Sequence, residues 1–260
     1  MRLFFPVSIL IAMASPVFSE PVVIAHRGAS AIAPENTASA IREALRLGAK
    51  VIEFDVRTTS DGHLVLFHDD KLDRLTGRPG TIESLDWATV QKLDVGSWFT
   101  KGSFPGERIL RFDEAVRLCL AGGATPLIEH KSGTAKAYAE VIRGLAAADR
   151  VIVQSFDWKF LKAFRSEMPE VPLGALGSKV LDEGKYSTLS SLRPEWVGWN
   201  HADLKESDLP LVHTIGAKLA LWTVNDPSIA SSWFGRGADA IITDVPDVIS
   251  KVLPGSREAE

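Results

Sequence analysis

The chain has 260 residues, 45% hydrophobic and 24% charged, with seven Trp and a net charge of −4. That is enough apolar material for a full core, in one large domain or two small ones, and it excludes a disordered chain. The mild acidity gives no electrostatic case for nucleic acid or a polybasic membrane patch, and a lone Cys119 excludes an intrachain disulfide.

The first twenty residues read MRLFFPVSILIAMASPVFSE. Arg2, an apolar stretch from Leu3 to Ala14 and a cleavage site at Val17-Phe18-Ser19 make residues 1–19 a signal peptide. The apolar run is short for a bilayer span and Pro6 interrupts it. The expectation is an exported protein, periplasmic or secreted, with no stable membrane anchor once the leader is removed.

From residue 20 onward, short apolar runs alternate with amphipathic helical stretches. Val22 to Ala25 precedes a helix over Thr37 to Leu47, with Asn36 or Thr37 as its N-cap. Val51 to Asp55 is the second run, and TPLIEHK, after a helix over Asp113 to Leu120, is the third. The runs VIVQSF, VPLGAL, EWVGWN, AKLALWTVN and ADAIITD follow, each after helical material over 135–148, 159–167, 182–192, 207–215 and 228–234. A helix over Val245 to Val252, with Asp244 as its cap, closes the series, and residues 255–260 read as a disordered tail. Eight strand–helix units in residues 20–254 predict a closed (β/α)8 TIM barrel. An open doubly wound sheet is disfavoured because no G-x-G-x-x-G follows the first strand.

The stretch VIEFDVRTTSDGHLVLFHDD, residues 51–70, departs from the eightfold rhythm. Asp61-Gly62 turns the chain back without a helix, which predicts a hairpin whose paired residue numbers sum to about 122. His68 then falls opposite Phe54, next to Glu53 and Asp55. A Gly- and Pro-punctuated insertion over Lys71 to Arg111 leaves from this end of the barrel and is expected to fold over its mouth. Trp87, Trp98 and Phe99 within it would make either an apolar lid or a small core.

Barrel chemistry sits at the C-terminal ends of the strands. There the sequence sets His26-Arg27, Glu53 and Asp55 with His68, Glu129 and Lys131, and Trp222 to Asn225. Strand side chains alternate, so Glu53 and Asp55 share a face, as do Glu129 and Lys131. Like charges in an apolar strand are unfavourable unless a cation lies between them or one takes a proton. Three carboxylates without a cysteine suit Ca²⁺ or Mg²⁺ better than Zn²⁺. Arg27 and Lys131 would hold an anionic oxygen cluster such as phosphate, and His26 and His68 would titrate beside it. That set suits phosphoryl transfer without a covalent serine. Trp222 and Phe156 either pack the barrel or line the pocket; Trp222 is the candidate substrate contact. Glu35 is placed to orient Arg27, and buried Cys119 reads as structural.

The motifs AHRGASAIAPENT, IEFDVRTTSDGHLVLFHD, IEHK, QSF, WTVN and DAIITDVP occur in that order. Together they resemble the glycerophosphodiester phosphodiesterase family over about Val22 to Val252. The resemblance implies a TIM barrel with a small capping insertion after the second strand. It implies hydrolysis of a glycerophosphodiester substrate to glycerol 3-phosphate and an alcohol. It also implies Glu53, Asp55 and Glu129 as metal ligands, His26 and His68 as the acid–base pair, and Arg27 and Lys131 on the phosphate. His130 stands where the family usually has an aliphatic residue, and strand alternation turns it away from the metal, toward packing or a local hydrogen bond. Two other functions compete. A lysophospholipid substrate, cleaved in a phospholipase D-type reaction, would need an apolar groove from Trp98, Phe99 and Phe104. A catalytically silent phosphate-ester binding protein is disfavoured, because both histidines and all three carboxylates are present.

Overall fold

In a computed structural model the described residues are 20–255. The signal peptide expected over 1–19, and residues 256–260 of the expected disordered tail, lie outside them. The chain opens with β1 (Val22–Ala25), α1 (Ala38–Arg46), β2 (Val51–Thr58) and β3 (Leu64–Leu66). The insertion carries α2 (Asp73–Thr76), a 3-10 turn over Ile82–Ser84 and α3 (Trp87–Val90). Then α4 (Phe112–Ala121), β4 (Thr125–His130), α5 (Ala135–Gly144), β5 (Ile152–Ser155), α6 (Trp158–Glu167) and β6 (Leu173–Gly177) alternate. So do α7 (Glu183–Leu192), β7 (Trp196–Asn200), α8 (Asp208–Thr214), β8 (Lys218–Trp222), α9 (Pro227–Gly235), β9 (Ala240–Thr243) and α10 (Pro246–Ile249).

All strands but β3 pair in parallel, and β1 pairs with both β2 and β9, which closes an eight-stranded barrel. It is a (β/α)8 TIM barrel, because each helix buries an apolar stripe on the outside of the strands. Strand alternation sorts the side chains into two layers. Ile52, Phe54, Val56 and Ile128 face outward into the core shared with the helices. Val22, Ile24, Val51, Leu127, Ile152, Trp196, Ala220, Ala240 and Ile242 fill the barrel interior toward its base. Above that plug the same inward faces carry Glu53, Asp55 and Glu129. Close packing leaves some positions no room for a side chain: a Cβ on Gly177 would lie 2.1 Å from the Trp199 ring.

The hairpin has the predicted register, Val56 to Leu66, Arg57 to Val65 and Thr58 to Leu64. It is shorter than expected, however. The Phe67 N–H bonds the Asp55 carbonyl at 3.0 Å, and His68 lies just past the last ladder residue.

The insertion seats beside the mouth, where its Arg74 bonds Glu35 and Asp69. It builds its own core, from Leu72, Leu75, Ile82, Val90, Leu93, Val95 and Ile109, on the Val65 and Phe67 face of the hairpin. Its first residue, Lys71, lines a cleft at the barrel mouth with His68, Glu129 and Lys131. Trp87 and Trp98 pack against that core, and Phe99 contacts both Trp98 and Phe104 edge-on at 5.6 Å. These aromatics therefore form a small core, not a groove. At the opposite end of the barrel, Glu20 to Val23 share one cleft with Leu47 to Lys50, Pro246, Ser250 and Leu253, so both ends of the described chain meet there.

Candidate active site

A cavity of about 240 Å³ opens at the C-terminal ends of the strands, lined by His26, Arg27, Glu53, His68, Glu129, Lys131, Gln154, Phe156, Leu176, Trp222, Thr223 and Ile242. Every site residue expected from the sequence lines it, except Asp55, which lies directly beneath Arg27 and Lys131.

Register brings the carboxylates together. Asp55 on β2 pairs with Glu129 on β4, and Glu53 is two residues back on the same inward face. The three are buried, and one oxygen from each lies within 4.8 Å of the others. Arg27 is in left-handed backbone (φ 55°), and its N–H bonds Glu53 Oε2 at 2.9 Å. Gly28 next to it has φ 83°, and a Cβ there would sit 2.6 Å from the Ala40 backbone. Only glycine lets the β1–α1 loop pass this close to the helix. The Arg27 guanidinium then reaches Asp55 Oδ2 (3.2 Å) and Glu35 Oε1 (2.7 Å), which is the orienting role expected of Glu35. Lys131 Nζ lies 3.3 Å from Asp55 Oδ1 and also contacts Glu129.

Asn36 proves more important than an N-cap. Thr37 takes that role, accepting from the Ala40 N–H. Asn36, buried with φ 58°, donates Nδ2 to Asp55 Oδ2 (2.8 Å) and accepts the Asp55 N–H at Oδ1 (3.0 Å). Asp244 does not cap the last helix either; Val245 is its N-cap, with no side-chain bond. The Asp244 carboxylate instead receives His26 Nδ1 (2.7 Å), Ser30 Oγ (2.9 Å) and Asn225 Nδ2 (2.7 Å). Asp69 does the same for His68, whose Nδ1 lies 2.7 Å from Asp69 Oδ1.

The electrostatics follow from burial and charge. Burial raises the Asp55 carboxyl, but Arg27, Lys131 and His68 outweigh it and hold it at about 2. Burial, with Asp55 and Glu129 adding repulsion, pushes Glu53 well above the usual carboxylate range. Burial and Asp55 push Glu129 up to about 7. Burial also lowers His68, against Asp55. Asp69, raised by burial, is held at about 2 by hydrogen bonds from Arg74 and His68. Burial opposes ionisation of Asp244 as well, but its hydrogen bonds, His26 first, hold it well below the usual range. Both partners are therefore carboxylates at neutral pH, each histidine carries its proton on Nδ1, and in the neutral ring Nε2 holds the lone pair.

The donor set fits a hard divalent cation. Glu53 Oε1 is buried without a hydrogen-bond partner, and Asp55 Oδ1 and Glu129 Oε1 meet only the Lys131 ammonium. Ligand oxygens about 2.4 Å from a calcium ion stand at most about 4.8 Å apart across it. His130 points outward, as alternation requires. It stacks on Phe160 at 3.5 Å and lies 3.1 Å from both Ser155 Oγ and the Gly133 carbonyl. Trp222 is half-buried in the cavity wall, edge-on to Phe156 at 5.5 Å. Cys119 is buried on the core face of α4 and does not line the cavity.

Fold and cavity together define a TIM-barrel phosphodiesterase. Residues 26–248 match the glycerophosphoryl diester phosphodiesterase family. A glycerophosphodiester phosphodiesterase of Caldanaerobacter subterraneus is 34% identical over 242 residues, covering 89% of this chain and 97% of that protein. One of Bacillus subtilis is 26% identical over 254 residues, covering 90% and 87%. A phosphodiesterase of Oleispira antarctica, solved in complex with sn-glycerol 3-phosphate, superposes with a TM-score of 0.84 at 30% identity, covering 90% and 96%. The chain belongs to the glycerophosphoryl diester phosphodiesterase family, and its activity is that of a glycerophosphodiester phosphodiesterase.

Proposed function

We propose that this enzyme hydrolyses glycerophosphodiesters to sn-glycerol 3-phosphate and an alcohol, dependent on one divalent cation, Ca²⁺ or Mg²⁺, with His26 and His68 as the acid–base pair. The observation that carries the reading is the buried trio of Glu53, Asp55 and Glu129, with under-satisfied oxygens beneath a cavity that both histidines line. Those three carboxylates would hold the cation, which when bound supplies Lewis-acid polarisation of the phosphate. Arg27 and Lys131 face the same point and stabilise the negative charge that gathers on the phosphoryl oxygens. One histidine takes at Nε2 the proton of the glycerol 2-hydroxyl as its oxygen bonds phosphorus, and the other gives a proton from Nε2 to the departing alkoxide as the old P–O bond breaks. Water then opens the cyclic phosphate to glycerol 3-phosphate. His68, kept neutral by burial, suits the accepting role. Trp222 and Phe156 give the glycerol side an apolar wall.

The test is glycerol 3-phosphate release from glycerophosphocholine and glycerophosphoethanolamine, after EDTA treatment and re-addition of Ca²⁺ or Mg²⁺. Turnover restored by metal and lost in both His68→Ala and Glu53→Ala supports the reading. Full turnover in EDTA, or in either variant, refutes it. A lysophospholipid substrate is not favoured, since Trp98, Phe99 and Phe104 are packed on one another. We also propose export through the leader at residues 1–19. Among the described residues no helix is long and apolar enough to cross a membrane. Amino-terminal sequencing of the protein from fractionated cells checks cleavage near Ser19, and a cytoplasmic product beginning at Met1 overturns it.

A further inference from the structure

One side chain of the insertion touches two of the carboxylates that orient the site. Arg74 follows Asp73 in α2, and its guanidinium spans Glu35 and Asp69. Nη1 donates to Glu35 Oε2 (2.8 Å) and Nε to Asp69 Oδ2 (2.6 Å). Nη2 donates to both remaining oxygens, Glu35 Oε1 (2.8 Å) and Asp69 Oδ1 (3.0 Å). Those two oxygens are the ones that receive Arg27 Nη1 and His68 Nδ1. A single nitrogen of Arg74 thus stands between the group proposed to bind the phosphate and the group proposed to move its proton. The Trp98 ring, 5.5 Å from Arg74 Cζ, backs the guanidinium on the side of the insertion core.

We propose that Arg74 is a positioning residue for catalysis: by bridging Glu35 and Asp69 it fixes the spacing and orientation of Arg27 relative to His68. The inference rests on the roles proposed above for those two residues. Glu35, Asp69 and His68 also offer ligand atoms close enough to suggest a second cation site. In this structure the Arg74 guanidinium holds both of those carboxylates. A planar fork with five donors meets two carboxylates at once, which a lysine ammonium cannot reproduce. Without it the two carboxylates repel one another, and Arg27 and His68 keep their chemistry but lose their mutual geometry.

Four proteins are compared on glycerophosphocholine with saturating metal: wild type, Arg74→Ala, Arg74→Lys and the exposed insertion control Arg78→Ala. Loss of a partner that orients reacting groups lowers turnover about 10- to 100-fold. Arg74→Ala is therefore expected to lose kcat by that factor with little change in KM, and Arg74→Lys to be restored only in small part. Added guanidinium should recover kcat in Arg74→Ala, and added methylammonium should not. Arg78→Ala should match wild type. Wild-type kcat in Arg74→Ala overturns the proposal. So does a loss that guanidinium leaves unchanged, or one that Arg74→Lys fully repairs. His68→Ala, assayed alongside, separates the two readings: an active His68→Ala refutes the proposed histidine role, whereas an inactive one beside an active Arg74→Ala refutes only the positioning role.

Discussion

Asn36 supports Asp55, and replacing it by alanine should damage the protein in two separable ways. The side chain donates to Asp55 Oδ2 at 2.8 Å and accepts the Asp55 N–H at 3.0 Å, with both residues buried. Removing it leaves a buried donor unsatisfied, which costs about 1–3 kcal/mol. Asn36 also has φ 58°, in left-handed backbone that asparagine tolerates and alanine resists by about 1–2 kcal/mol. Asn36→Ala should therefore destabilise the apoprotein by about 2–5 kcal/mol, read from the urea midpoint at unchanged m-value. Asn36→Gly loses the same hydrogen bonds without the backbone strain, so it should be the more stable of the two. Cation affinity should fall in both, because Asp55 is no longer held in place. An alanine variant within about 1 kcal/mol of wild type, or one more stable than the glycine variant, would refute the account, since a routine surface change moves stability less than that.

Cation binding should release protons near neutral pH. Glu129 is pushed up to about 7 and Glu53 is raised as well, so part of the apoprotein holds protons that a cation must displace. Titration calorimetry in buffers of different ionisation enthalpy should show more release at pH 6.5 than at pH 8.5; equal release at both would contradict it. In the metal-free protein the Glu129 contribution to stability should grow as pH falls from 8 toward 6.5. It acts against opposite contributions from His68 and His130, which burial lowers, so Glu129→Gln should remove that part of the pH dependence of the urea midpoint. Glu129 has a folded value above its unfolded one, so its folded form takes up a proton first in that window. Burial pushes the Cys119 thiol up to about 12, so a thiol reagent should modify it only after unfolding; stoichiometric labelling of the folded protein would count against this. Gly177→Ala should lower stability by about 1–3 kcal/mol or more through overpacking against Trp199, and an unchanged thermal midpoint would show that the ring moves freely.

The parts of this molecule visible in its sequence are those governed by local rules. Period-two alternation separated Val51, Glu53 and Asp55 from Ile52, Phe54 and Val56, and the structure divides them between barrel interior and outer core. The Asp61-Gly62 turn gave the hairpin register to the residue. What local rules could not show are partners joined by closure. Asp244 lies 218 residues from His26 and meets it only because β9 returns to β1. Nothing near Asp244 distinguishes such a partner from a helix cap. Arg74 sits in a segment with no strong periodicity, and its contacts depend on how the insertion core seats against the hairpin. The insertion's point of departure was legible; which of its side chains would reach the site was not. Asp69 had a signal, since a carboxylate directly after a candidate catalytic histidine is a ready partner for the ring.

Both ends of the described chain meet at the base of the barrel, across its full length from the cavity. Glu20 itself therefore lies at the far pole of the molecule. A fused tag, a carrier domain or a surface linker attached there leaves the route to the histidines clear. Held by that pole on a bead or an electrode, the enzyme would present its mouth outward to the solution, which makes end-on immobilisation a property already built into the topology.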